Sequence, residues 1–112
     1  MRLSAGITVA LSLLVLCVHA QRTQYGRIKG TVIDSTERRP LEAATVSVFL
    51  LADSSLVAYA LTGKKGEFTI NNIPRQTRCW LMVSYNGYNG AIRNFEIPKE
   101  NQELEIKDIL ID

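Results

Sequence analysis

Histidine is nearly missing from this sequence. The 112 residues hold one, His19, and it falls in a segment that reads as a removable leader. Without an imidazole, the rest of the chain cannot supply a Ser-His-Asp triad, a Cys-His pair or a histidine-ligated zinc site. Cysteine is almost as scarce, at Cys17 and Cys79. If Cys17 leaves with the leader, Cys79 has no partner, and no intramolecular disulfide braces the domain. No charge dominates either. Removing Arg2 from 13 basic residues leaves 12, against 11 acidic ones. Such a balance argues against nucleic-acid binding, which uses a strongly basic face. Beyond the leader, no apolar run reaches the roughly 20 residues that span a bilayer. No stretch there keeps a helical period.

The leader itself has three parts. Met1-Arg2 is positive, Ala5 to Val18 is an apolar run of 14 residues, and Val18-His19-Ala20 places Val at −3 and Ala at −1 before Gln21. This is the layout of a cleavable Sec signal peptide. Cys17 sits where a bacterial lipoprotein carries its lipid. Leu16 before it is bulky, though, so Cys17 reads as an apolar residue of the removed segment. The chain divides into a signal peptide at 1–20, a polar leader at 21–25 and one domain at 26–112. Cleavage leaves 92 residues. Domains of about 55–65 residues already fold on their cores alone.

What the sequence does have is alternation. Cys79-Trp80-Leu81-Met82-Val83-Ser84-Tyr85-Asn86-Gly87-Tyr88 is the stretch around which the rest arranges itself. Side chains of a strand alternate between two faces. Cys79, Leu81, Val83 and Tyr85 share one, Trp80, Met82 and Ser84 the other. Asn86-Gly87 closes this central strand because both residues tolerate positive φ. Six more strands are expected, at Tyr25–Asp34, Ala43–Leu51, Leu56–Thr62, Glu67–Asn71, Tyr88–Ile97 and Gln102–Ile111. Gly30 within the first suggests a bulge or a close approach. Gly63-Lys64-Lys65-Gly66 reads as a hairpin turn, and Ile73 as tucked under the loop that follows. Asp108 interrupts the apolar parity of the last strand. Seven short strands with regular turn signals predict an all-β, antiparallel Greek-key β-sandwich.

Few residues suggest chemistry. Asp34 with Glu37, and Glu103 with Glu105, read as solvated surface charges. Asp53, Glu67, Asn71 and Asn72 offer oxygen ligands without the fixed spacing of a calcium loop. Cys79 shares its parity with Leu81 and Val83, so it reads as a buried small hydrophobe. Gly63 to Gly66 lacks the spacing of a phosphate loop. No catalytic, cofactor-binding or metal-binding residue is expected. Trp80, Met82, Phe49 and Leu51 stand apart, on the parity opposite the small aliphatic set of Ala44, Val46 and Val48. If their strands share a sheet, they form an apolar patch of the kind that marks partner surfaces. Trp80 with Tyr59, Tyr85 or Tyr88 also offers rings that stack on sugars.

Taken together, the motifs resemble a family. They are Gly30-x-Val32-x-Asp34, Pro40-Leu41-x-x-Ala44-x-Val46-x-Val48, Asp53-Ser54-Ser55-Leu56-Val57, Thr62-x-x-x-Gly66-x-Phe68-x-Ile70 with Ile73-Pro74, and Leu81-x-Val83-Ser84-Tyr85-x-Gly87-Tyr88. The order and spacing resemble the carboxypeptidase regulatory-like domain, which implies a transthyretin-like sandwich. The layout, with the domain directly after a signal peptide, resembles the amino-terminal extension of TonB-dependent outer-membrane receptors of Bacteroidetes-type bacteria. The resemblance implies a non-catalytic, exported accessory domain in the periplasm or at the outer membrane. Its partner would be a protein, either a receptor plug and barrel or a periplasmic one. The second reading is a stand-alone carbohydrate-binding module with a glycan partner.

Overall fold

The computed structural model describes residues 24–112. The signal peptide expected at 1–20, Cys17 within it, and the start of the leader lie outside the described residues. Eight strands follow in order: β1 (Tyr25–Asp34), β2 (Thr45–Leu50), β3 (Leu56–Leu61), β4 (Glu67–Pro74), β5 (Cys79–Ser84), β6 (Ala91–Phe95), β7 (Glu103–Glu105) and β8 (Ile109–Ile111). They make two sheets. In one, β1 lies between β4 and the pair β7 and β8; the other runs β3-β2-β5-β6.

The core lies between the sheets. Ile28, Val32, Phe68 and Ile70 face it from the first sheet, and Val46, Val48, Leu81 and Val83 from the second. Ile97 and Ile109 help close the ends. Each such side chain contributes about 1.5–3 kcal/mol when fully buried. β5 is an interior strand as expected, paired to β2 on one side and β6 on the other. Cys79, Leu81 and Val83 are fully buried. Gly87 adopts a φ of 84° in the turn after it.

The expected seven strands become eight because the last one breaks. Leu104 and Ile106 are half-buried, but beyond Lys107-Asp108 the buried residues are Ile109 and Ile111. The inward parity switches there, since a strand cannot keep one face inward across such a slip. Both pieces run parallel to β1, at Ile28↔Leu104 and Ile33↔Leu110. The sandwich is therefore not wholly antiparallel.

Three further expectations change. The sixth strand starts at Ala91, not Tyr88, because Tyr88 stays in the turn with its N–H donated to the Tyr85 carbonyl at 3.0 Å. Gly63 to Gly66 is not a hairpin. It carries the chain from β3 in one sheet to β4 in the other. Buried Thr62 anchors this crossing, donating its hydroxyl to the Leu41 carbonyl at 2.5 Å and accepting the Ala44 N–H at 2.9 Å. The fourth strand continues to Pro74 through a bulge. Asn72 has a φ of 61°, and the register slips between Gly26 and Ile28. Two exposed residues, Asn71 and Asn72, then separate buried Ile70 from buried Ile73.

Gly30 makes the close approach its position suggested. It stands opposite Phe68 in the β1–β4 ladder, and a Cβ on it would lie 2.6 Å from the Phe68 ring. The ring lies over bare backbone. Gly30→Val should therefore lower stability by about 1–3 kcal/mol, the usual cost of overpacking. Urea unfolding measures this. Wild-type stability would mean that Phe68 moves aside freely.

Candidate functional site

Alternation that fills the core from one face of the second sheet leaves the other face outward. The register sets out its rows. Leu56, Phe49, Trp80 and Asn94 lie side by side, then Tyr59, Ser47, Met82 and Ile92, then Leu61, Thr45 and Ser84. Phe49, Trp80 and Met82 thus stand together on one face. Phe49 and Trp80 stack, with ring centroids 4.3 Å apart and planes 17° off parallel. Such a pair contributes about 0.5–1.5 kcal/mol beyond its area. All three are half-buried.

Leu51 lies beyond the end of β2, in a turn where its N–H donates to the Arg78 carbonyl at 3.0 Å. It is exposed. With Arg78, Asn94, Phe95 and Glu96 it lines a groove of about 390 Å³ at that end of the sheet. Sequence reasoning missed Leu56, Leu61 and Ile92, which widen the patch, and singled out Tyr59 only as a ring that stacks on sugars. Leu56, Tyr59 and Leu61 on β3 and Ile92 on β6 are 57–66% exposed. A signal was present, because β3 alternates large residues with Ala58 and Ala60, just as β2 alternates Phe49 with small aliphatic ones. On this sheet the small set faces inward.

The tyrosines do not form one row with Trp80. Tyr59 lies on the outer face, but Tyr85 and Tyr88 pack edge to face near Asp34, centroids 5.3 Å apart. Asp34 is no solvated charge. It is buried at the end of β1. One oxygen accepts the N–H groups of Thr36 and Glu37 at 2.8 and 2.9 Å, and the other accepts the Tyr88 hydroxyl at 2.5 Å. The Tyr88 hydrogen bond, then those backbone bonds, hold the Asp34 carboxyl below its usual value, and the same carboxylate raises the Tyr88 hydroxyl. This pair ties the turn after β5 to the end of β1, and so one sheet to the other.

The remaining candidates carry no chemistry together. Burial pushes the Cys79 thiol up, and the Glu96 carboxylate adds to the effect. Asp53, in the β2–β3 turn, accepts the Ser55 N–H and hydroxyl. Glu67, Asn71 and Asn72 lie on β4 in the other sheet, so the four do not gather as a calcium site. Glu103 sits on the surface, with Arg27 at 2.8 Å and Lys29 at 3.6 Å. Among the described residues, no three His, Cys, Asp or Glu side chains are grouped as metal ligands.

Residues 27–107 match the family model of the carboxypeptidase regulatory-like domain. The chain belongs to this family. Solved structures place the carboxypeptidase regulatory-like domain in a wider fold group. The Bacillus anthracis TIE protein superposes with a TM-score of 0.63 at 20% identity, over 79% of this chain and 17% of that one. The major pilin subunit BcpA of Bacillus cereus gives 0.62 at 15%, over 80% and 30%. Klebsiella pneumoniae 5-hydroxyisourate hydrolase gives 0.58 at 17%, over 76% and 90%. At these identities the likeness is one of fold, the transthyretin-like sandwich. The chain spans about a sixth of the TIE protein and a third of the pilin. No curated protein matches in sequence.

The Asp34–Tyr88 pair sets a pH dependence. A lowered carboxyl stabilises the fold above its ordinary value of 3.8, and this is lost as pH falls through the lowered value. A raised hydroxyl stabilises it below 10.0, and this is lost as pH rises through the raised value. Asp34→Asn should lower the melting temperature at neutral pH and flatten its fall in acid. Tyr88→Phe should remove the alkaline loss and part of the acid one. Wild-type pH profiles in both variants would rule the pair out as a tie between sheets.

Proposed function

We propose that this carboxypeptidase regulatory-like domain is a non-catalytic, exported interaction domain. It docks on a partner protein through the outer face of the β3-β2-β5-β6 sheet. One observation carries the reading: Leu56, Tyr59, Leu61 and Ile92, each more than half exposed, surround the stacked Phe49–Trp80 pair and Met82. A contiguous apolar face of this kind marks an interaction surface. Leu51 borders it. The chemistry of the chain points the same way. Beyond the leader it has no imidazole, and its one thiol is buried and held protonated.

The signal-peptide layout of residues 1–20 supports export, and the motif pattern supports a periplasmic place ahead of an outer-membrane receptor. In that setting the plug or barrel of a TonB-dependent receptor covers the face. A glycan-binding role has less support. Phe49 covers one side of Trp80, and Tyr85 and Tyr88 are engaged with each other and with Asp34.

Cell fractionation should find the protein in the periplasmic or outer-membrane fraction. A photo-crosslinker at Ile92 should capture an outer-membrane β-barrel protein. Trp80→Glu should abolish that capture yet cost about 2 kcal/mol of stability or less, the range for an outward strand site that loses an aromatic pair. A cytoplasmic location, binding on a glycan array, or unfolding of the Trp80→Glu protein would contradict the proposal.

A further inference from the structure

β3 is an edge strand, bonded to β2 on one side and to no strand on the other. Its residues, Leu56-Val57-Ala58-Tyr59-Ala60-Leu61, include no charge and no proline. Proteins commonly blunt exposed edges with such residues or with bulges. Here the devices are a bulge near Leu56 and Val57, which leaves Ala58 to Leu61 regular, and the approach of β4 from the other sheet, whose Cα atoms come within 8 Å of β3 without pairing to it. The opposite edge, β6, carries Arg93 in its middle.

The backbone phase of β3 follows from its pairing. The Thr62 N–H donates to the Ala44 carbonyl at 2.9 Å, and Ala60 stands opposite Val46. Bonded and non-bonded positions alternate along an antiparallel ladder. Ala58 and Ala60 therefore turn their N–H and C=O groups to β2, while Tyr59 and Leu61 turn theirs to the free edge. No turn or loop bond among the described residues uses them.

We infer that β3 pairs with β3 of a second copy of this chain, antiparallel about a two-fold axis at Tyr59. Two features favour a second copy as the occupant. One is register. Side chains keep their faces across a ladder only if residues of like parity stand opposite each other. A two-fold at Tyr59 meets this over the regular segment, placing Ala58 opposite the partner's Ala60 and Tyr59 opposite the partner's Tyr59. Tyr59 then exchanges two backbone bonds with the partner's Tyr59, and the two rings meet on the outer face as a cross-strand pair. The other feature is charge. Lys64 and Lys65 follow β3 in its exposed crossing, and exposed Asp53 precedes it. The same two-fold brings the dibasic turn of each copy to the partner's Asp53. Asp53 is held ionised by Ser55.

The product is one eight-stranded sheet, β6-β5-β2-β3 continued by the partner's strands in reverse. This isologous contact closes after two copies and leaves only the charged β6 edges free. It joins two outer apolar faces into one platform. Because it uses the edge, its failure leaves the docking role of the Phe49–Trp80 face standing.

Sedimentation equilibrium of the purified protein should show a monomer–dimer exchange. Tyr59→Pro removes an outward N–H and spares the β2 ladder, so it should raise the dimer dissociation constant about tenfold or more with the circular dichroism retained. Lys64→Glu with Lys65→Glu should weaken the dimer, and adding Asp53→Lys should restore it. That charge reversal decides the matter if the proline variant does not fold. Trp80→Glu should leave the dimer intact. A monomer up to millimolar concentration, or a dimer indifferent to the proline and to the charge reversal, overturns the inference.

Discussion

The fold rests on one constraint: two short sheets must supply the whole core from their inner faces. No disulfide helps, since Cys79 is free and buried, and no helix covers either sheet among the described residues. The inner face of the second sheet meets this with compact residues, Val46 and Val48 on β2, Ala44 just before it, and Leu81 and Val83 on β5, all without solvent exposure. Small inward side chains let the sheets approach and pack densely. The large residues of the same strands, Phe49, Trp80 and Met82, are left on the other face with Tyr59 of β3.

That division links packing to function. A face needed for the core would bury its rings against the opposite sheet. Here the core closes without them, and they stack sideways or stand in solvent. Polar residues would serve the fold as well at such positions, so the apolar ones point to a role outside it. The Asp34–Tyr88 contact and the Thr62 anchor act elsewhere, at crossings where the chain leaves one sheet for the other. They hold the sandwich together while leaving the outer face untouched.

Much of this was legible from residue pattern. The β5 stretch declared both of its faces by strict alternation, and the patch of Trp80, Met82 and Phe49 follows once β2 and β5 are neighbours. Other features were hidden for physical reasons. The Asp34 carboxylate looks solvated because its partner, Tyr88, lies 54 residues away. Gly63 to Gly66 has the composition of a hairpin, but glycines serve a crossing between sheets equally well. The parity switch at Lys107-Asp108 and the bulge at Asn71-Asn72 shift which residues face inward, and local composition does not fix a register. The exposed leucines of β3, Leu56 and Leu61, were missed because large apolar side chains usually signal a core.

The central claim is that the core is complete without the outer face. Met82 and Val83 are neighbours on β5 that point to opposite sides of the sheet. Urea unfolding of Met82→Ser and Val83→Ser compares the two faces at one place in the fold. The Val83 variant should lose about 2–4 kcal/mol, the cost of a buried cavity and a buried hydroxyl, and the Met82 variant about 1 kcal/mol or less. Equal losses would show that the outer residues belong to the core of the fold, and would contradict the account.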